Sequence, residues 1–211
     1  MNCEDTLLKN VEVRQAINYA IDKNKINSTV FSNNYYVSSF PIDYGSYLYE
    51  KESKSSYNQE KAKETLEDAG WEYRYGYWRK TENYSTQSLN LSLVVDNSNE
   101  TRVKVAELTE EQLEDIGINV SLYRVSNSSY QNYLKNKNYD MIITGVNNGY
   151  SPDLTYFLGE DNLSNYQNEE ITGILNEVKN ISDKDLLKEK YNRIIEIYEK
   201  EVPYICLYRN T

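Results

Sequence analysis

No histidine occurs among the 211 residues, and there are only two cysteines, three prolines and eight glycines. Without histidine the chain cannot build a Ser-His-Asp triad, a His-Glu-x-x-His zinc site or any imidazole ligand set. Acid–base work would fall to carboxylates, tyrosine or lysine. Cys3 and Cys206 stand near opposite ends, too few for a disulfide framework. Cys206 lies in the apolar run Tyr204–Tyr208 and reads as a small buried hydrophobe. A Cys3–Cys206 bridge would need the termini to meet, which the sequence does not fix. No stretch approaches the ~18 consecutive apolar residues of a membrane span, and Met1–Asn10 lacks the charged-then-apolar layout of an export signal. No Gly-rich phosphate cradle follows any strand. Asp+Glu 33 against Lys+Arg 23 give a formal net charge of -10, which opposes a nucleic-acid backbone.

What is present is a folding chain. Hydrophobic residues make up 39% and aromatics 13%, with 22 tyrosines, enough to close a core. No proline- or glycine-rich linker and no internal repeat divides residues 1–211, so one domain is expected.

The periodicity alternates helix and strand. Val13, Ile17, Ala20 and Ile21 predict a helix over about Val11 to Lys23, with a second from Asn24 to Phe31. From Ser32 to Tyr57 there is no period but many tyrosines, the signature of a long functional or covering loop. Asn58 caps the next helix and Gly70 ends it; Trp71–Lys80, centred on Gly76, reads as a hairpin. Leu89–Val95, a helix stopped by Gly117, and Ile118–Val125 form a βαβ unit with parallel strands and a right-handed crossover. A helix near Ser129–Lys137, a buried strand Tyr139–Val146, helices Asn168–Lys179 and Asp183–Glu201 and a strand Val202–Tyr208 complete the pattern. Ser182 and Asp185 have capping-box spacing before the last helix. The class is α/β, with a mostly parallel sheet flanked by helices.

No catalytic constellation emerges. Glu107, Glu110, Glu111, Glu114 and Asp115 share a helix but lie mostly off its apolar face, as a solvated surface would. Asp96–Glu100 lacks the glycine and distant glutamate of a calcium loop and reads as a turn and helix cap. One loop stands out, after the strand ending at Val146. In open α/β sheets ligands bind beyond the carboxyl ends of strands. Asn147, Asn148 and Tyr150 offer polar side chains there, and Gly145 and Gly149 offer free backbone; an ordinary Asn/Gly turn is the alternative. Tyr35, Tyr36, Tyr44, Tyr47 and Tyr49 either line a groove for peptides or sugars or reflect AT-rich codon usage.

Five blocks, in order, resemble one family. They are Asn10–Asp22 (Val13-Arg14-Gln15-Ala16-Ile17-Asn18-Tyr19-Ala20-Ile21-Asp22 at its heart), Tyr57–Lys63 with Leu66–Trp71, Glu111–Ile118, Pro152-Asp153, and Glu201–Tyr208. Together they are similar to the extracellular solute-binding proteins of family 5, the dipeptide-, oligopeptide- and nickel-binding proteins of ABC importers. The resemblance implies a periplasmic-binding-protein-like (type II) lobe: the second, C-terminal lobe of a two-lobed clamp, the first lobe lying outside this chain. It implies a bacterial receptor for a small peptide or similar solute, partnered by an ABC transporter permease and by the N-terminal lobe. It further implies an extracellular site, as a cell-surface lipoprotein or in the periplasm, with membrane contact only through an anchor outside this chain. No enzyme activity, cofactor or metal is expected.

By resemblance, Gly145, Val146 and Asn147 offer backbone to an extended ligand. Asn148 stands where relatives carry the aspartate that pairs with a peptide's α-ammonium. Gly145 replaces a frequent aromatic, leaving room, and Ile142 replaces a base found in some members. These departures fit a blocked peptide, a ligand held mainly by the other lobe, or a non-peptide solute such as a nickel chelate held elsewhere. A ligand-sensing domain of a transcriptional regulator is the rival reading.

Overall fold

Residues 1–42, 46–49, 56–146 and 153–209 are described by a computed structural model. Two helices, α1 (Val11–Ala20) and α2 (Lys23–Phe31), precede a short strand β1 (Tyr36–Val37) and helix α3 (Gln59–Asp68). A ribbon of β2 (Glu72–Arg74), β3 (Tyr77–Glu82) and β4 (Ser85–Ser88) leads into β5 (Asn90–Asp96). Next come α4 (Glu100–Glu114), β6 (Asn119–Val125), α5 (Asn127–Asn136) and β7 (Met141–Ile142). The chain closes with α6 (Thr155–Leu158), α7 (Glu169–Val178), α8 (Lys184–Glu201) and β8 (Tyr208–Arg209).

The expected α/β class holds. The central sheet is parallel, in the order β6-β5-β7, with β5 in register from Asn90↔Asn119 to Asp96↔Val125 on one side and Leu93↔Met141 on the other. Both faces of β5 are covered, so its side chains divide by parity. Leu91, Leu93 and Val95 join the main core with α1 and α4, while Val94 packs with Tyr130 and Tyr139 beneath α5. Because β6 and β7 lie on opposite sides of β5, the chain crosses over β5 between them, leaving a crevice at the carboxyl ends.

The predicted hairpin extends to three antiparallel strands, β2-β3-β4. Left-handed backbone at Tyr75 and Gly76, then at Asn83 and Tyr84, makes the two tight turns. Trp78 anchors the ribbon to the core: its indole N–H donates to Ile116 O at 2.7 Å. Asn58 caps α3 by accepting from Lys61 N at 2.9 Å, as the sequence predicts. The helix expected over Val11 to Lys23 instead ends at Ala20, because Asp22 caps α2 by accepting from Asn24 and Lys25 N–H groups. Before α8 the cap is Asp183 rather than Ser182, and it accepts from Leu186 N.

Two predicted strands are shorter than their alternation suggests. Of Tyr139–Val146 only β7 is paired, Ile143 N adds one bond to Val94 O, and Thr144, Gly145 and Val146 are exposed. Beyond that point β5 bends into the turn at Asp96–Asn99 and offers no ladder. Of Val202–Tyr208 only Tyr208 pairs, with β1 and not with the central sheet. Pro203 has no N–H to give, and Val202 is the left-handed cap of α8. The period-2 pattern there has another cause: Tyr204 and Cys206 face a second core built on α7 and α8, whereas Ile205 and Leu207 face the first. Both cysteines are free thiols.

Arg14, only 4% exposed, joins the two cores. Its Nε and Nη2 donate to Glu201 O at 2.9 and 2.6 Å, and Nε reaches Val202 O at 3.3 Å. Its Nη1 donates to Leu8 O at 2.8 Å and Lys9 O at 3.1 Å. The guanidinium thus caps the carboxyl end of α8, where a cation is favoured, and ties it to the segment before α1. Lys23 is equally buried but poorly served: Nζ donates to Ser38 O at 3.1 Å, and burial lowers its pKa from 10.5 to about 8.

Two outcomes follow from these cations. Arg14→Met strands carbonyls at a helix end and should cost about 3 kcal/mol in urea denaturation, with Arg14→Lys losing less; a loss below ~1 kcal/mol for the methionine variant would remove the cap from the account. For Lys23 the unfolded chain binds more protons than the folded one between pH 8 and 10.5. Lys23 should therefore contribute a rise of about 1 kcal/mol between pH 7.5 and 9, offset in part within the same window as the thiols of Cys3 and Cys206, raised by burial in the folded chain, ionise in the unfolded one. Lys23→Met should remove that contribution, leaving the slope lower by the same amount, and an unchanged slope would contradict the assignment.

Candidate functional site

The carboxyl ends of β5 and β7 carry the candidate site. Asp96 closes β5 with its carboxylate fully engaged, accepting from Ser98 N at 3.0 Å, Ser98 Oγ at 2.8 Å and Asn127 Nδ2 at 2.7 Å. Those bonds, Asn127 foremost, hold its pKa below the ordinary carboxylate value, and the charge of Arg102 adds to the effect. Asp96 is thus a structural anion that joins the β5 turn to α5 rather than a base. Asn99 then caps α4, accepting from Arg102 N at 3.0 Å.

Beside it, β7 leaves the sheet. Tyr130 of α5 donates its hydroxyl to Ile143 O at 2.8 Å, fixing the last partly buried residue of the run. Burial raises the Tyr130 pKa, so this hydroxyl stays a donor. Past Ile143 the residues Thr144 to Val146 are exposed and lie beyond the last backbone bond to β5. The room expected at Gly145 is taken: a Cβ there would lie 2.6 Å from Nη2 and 3.4 Å from Cζ of Arg102. The guanidinium lies over the glycine. An aromatic cluster gathers at β8, with Phe31 centred 4.3 Å from Tyr208 and 4.4 Å from Tyr35, and the charge of Arg102 is felt at the Tyr208 hydroxyl.

Of the predicted site residues, Gly145 and Val146 stand together on this open edge; Asn147, Asn148 and Tyr150 lie outside the described residues. Among the described residues the tyrosines do not form one groove. Tyr49 is buried against Phe40, Tyr35 packs on Phe31, Tyr36 and Tyr47 are exposed, and Tyr44 lies outside the described residues. The acidic helix face is solvated as expected: Glu111 pairs with Lys25 and Glu107 with Arg124.

Arg102 is the residue that sequence reasoning missed. A signal was present, since a base in the first turn of a helix opposes the macrodipole and calls for a reason. Two shallow depressions lie elsewhere, one at the amino ends of β5 and β6 around Asn90 and Asn119, the other between α7 and α8. Among the described residues no group of three His, Cys, Asp or Glu side chains is placed to hold a metal ion. No helix among them is long and apolar enough to cross a membrane. The edge therefore offers open backbone and one positive charge, the means to hold a ligand without covalent chemistry.

A model of the bacterial extracellular solute-binding proteins, family 5 (middle region), matches residues 1–167. The oligopeptide-binding protein AppA of Bacillus subtilis is 27% identical over 218 residues, covering 98% of this chain and 40% of that protein. Heme-binding protein A of Haemophilus influenzae is 27% identical over 216 residues, covering 97% of this chain and 37% of that one. The structure of AppA with a nonapeptide superposes with a TM-score of 0.88 at 26% identity, over 99% of this chain and 43% of AppA. NikZ of Campylobacter jejuni, solved with Ni(L-His), gives 0.89 at 22% identity over 99% of this chain and 43% of its own, a likeness of fold. The chain spans about 40% of the length of the curated relatives.

Two glycines separate the roles of space and backbone. Gly145 has ordinary φ and meets only the tip of a flexible side chain, so Gly145→Ala should change stability by no more than ~0.5 kcal/mol. Gly117 has φ +85° and a Cβ there would sit 2.2 Å from Tyr73 Cε2, so Gly117→Ala should cost about 2 kcal/mol or more. Equal losses in chemical denaturation would refute this division.

Proposed function

Because the chain belongs to the bacterial extracellular solute-binding proteins, family 5, we propose that it forms the second lobe of a two-lobed receptor for small peptides. The first lobe comes from the remainder of the protein, and closure of the two buries the ligand between them. The receptor hands its ligand to the permease of an ABC importer. It works outside the cytoplasmic membrane, as a lipid-anchored or periplasmic protein, and carries out capture and release with no covalent step.

The observation that carries this reading is the open strand extension. Thr144, Gly145 and Val146 continue β7 past its last ladder bond, with backbone exposed at the carboxyl edge of a parallel sheet. An extended peptide laid there gains main-chain hydrogen bonds by strand addition. That AppA, a relative at 26% identity with the same fold, was solved with a nonapeptide supports peptide as the ligand class. In this reading Gly145, Val146 and Asn147 supply backbone, and Asn148 and Tyr150 supply side chains. Asn148 cannot neutralise an α-ammonium, because an amide carries no charge, and charge-assisted bonds are roughly twice as strong as neutral ones.

The test is calorimetry on the full-length receptor with di- to decapeptides, each in free-amino and N-acetylated form, and scattering to follow closure. Binding with compaction is expected, and the second lobe alone should bind at least ~100-fold more weakly, as half of the buried contact is missing. Asn148→Asp should strengthen binding of free-amino peptides over acetylated ones. Absence of binding to every peptide at millimolar concentration would overturn the peptide assignment.

A further inference from the structure

We propose that the depression at the amino ends of β5 and β6 is a second binding site, one that takes an uncharged saccharide. It lies at the opposite end of the central sheet from the open edge, roughly 20 Å away along the seven residues of β5. The inference stands independently of the peptide reading.

The ends of five elements meet there. Tyr77 opens β3, Ser88 closes β4, Asn90 opens β5, Asn119 opens β6 and Glu114 ends α4. Together they line a hollow of about 460 Å³. Hollows of this size hold small ligands when a few polar groups converge on them. Gly117, left-handed at φ +85°, turns the chain from α4 into β6, and its missing side chain leaves the space that the ring of Tyr73 fills. That ring lies 5.2 Å from the ring of Trp78 and is still half exposed. Tyr77 in the wall and Tyr73 beside it at Gly117 thus supply aromatic surface at the rim of a polar hollow.

The polar groups are oriented and free. Asn119 Nδ2 donates to Asn90 Oδ1 at 3.1 Å, which fixes both amides and leaves Asn90 Nδ2 to donate and Asn119 Oδ1 to accept. The hydroxyls of Tyr77 and Ser88 and the carboxylate of Glu114 have no hydrogen-bond or ion-pair partner among the described residues. No lining residue is basic, so an anion finds no counter-charge. Glu114 is exposed, and a lone carboxylate screened by water does little to hold a cation. The set suits a neutral molecule with adjacent hydroxyls, each able to donate and accept, and an apolar C–H face to lie on a tyrosine ring. A pyranose has both. Its hydroxyls replace, bond for bond, the water that these groups otherwise hold.

Saturation-transfer NMR on the full-length protein tests the site, with chitotetraose, cellotetraose and maltotetraose as probes and glucosamine as a cationic control. Transfer to at least one neutral sugar is expected at about 10 mM, a concentration that detects weak, open sites. The responding probe separates an N-acetylated from a plain hexose. Asn119→Ala removes an acceptor and releases Asn90, and should weaken binding by about tenfold. Glu114→Gln keeps the shape but exchanges an acceptor for a donor, and should weaken it by about threefold. Thermal midpoints of both variants should match wild type, because both side chains are exposed. Absence of transfer to every sugar, transfer that survives both substitutions, or a preference for glucosamine that Glu114→Gln abolishes would each overturn the saccharide site. None of these results bears on the peptide reading.

Discussion

The fold turns on a buried guanidinium that faces carbonyls rather than a carboxylate. Among the described residues the two larger apolar cores lie one around β5 and one around α7 and α8, and each is closed by residues distant in sequence. Arg14 stands where they meet, drawing the carbonyls of Leu8 and Lys9 and those of Glu201 and Val202 to one planar group. Gln15 repeats the device next door, with Nε2 donating to Lys200 O at 2.6 Å. A carboxylate here would have needed its own desolvation to be offset. Carbonyls at a helix end require donors in any case, so the charge is used to satisfy groups that already lacked partners. Arg14 and Gln15 belong to the first of the five blocks that carry the family resemblance, and their work is architectural.

With the cores joined, the parallel sheet is free to end unevenly. Its central strand bends away after Asp96 and the neighbouring strand continues for a few residues without a partner. Asp96 makes this possible by spending both carboxylate oxygens on the turn and on Asn127, so the bend is held without leaving an unsatisfied charge. The crevice is therefore a product of strand order and turn chemistry, not of a hollow in the core.

Much of this was legible in the sequence, for local reasons. Helix ends at Asn58 and Gly117, the hairpin at Gly76 and the βαβ unit are written in caps, turn residues and periods that act over a few positions. Two strand lengths were not legible. Alternation in Tyr139–Val146 and Val202–Tyr208 reports burial on two sides, yet says nothing about whether a hydrogen-bonding partner runs alongside. The Tyr204–Leu207 stretch lies extended between two cores, and its side chains alternate just as a paired strand's would. Strand position led to Gly145 and family resemblance added Val146, but the resemblance treated the glycine as empty space. That Arg102 fills it depends on a contact across 43 residues of sequence, which neither periodicity nor motif encodes.

An unpaired strand end is a hazard as well as an opportunity, because a second copy of the same chain can add to it as readily as a ligand can. Here a positive charge is posted over the exposed backbone. Two molecules approaching edge to edge would bring their guanidinium groups towards one another, and like charges facing across a strand pair repel. One side chain thus opposes the self-association that an open edge invites.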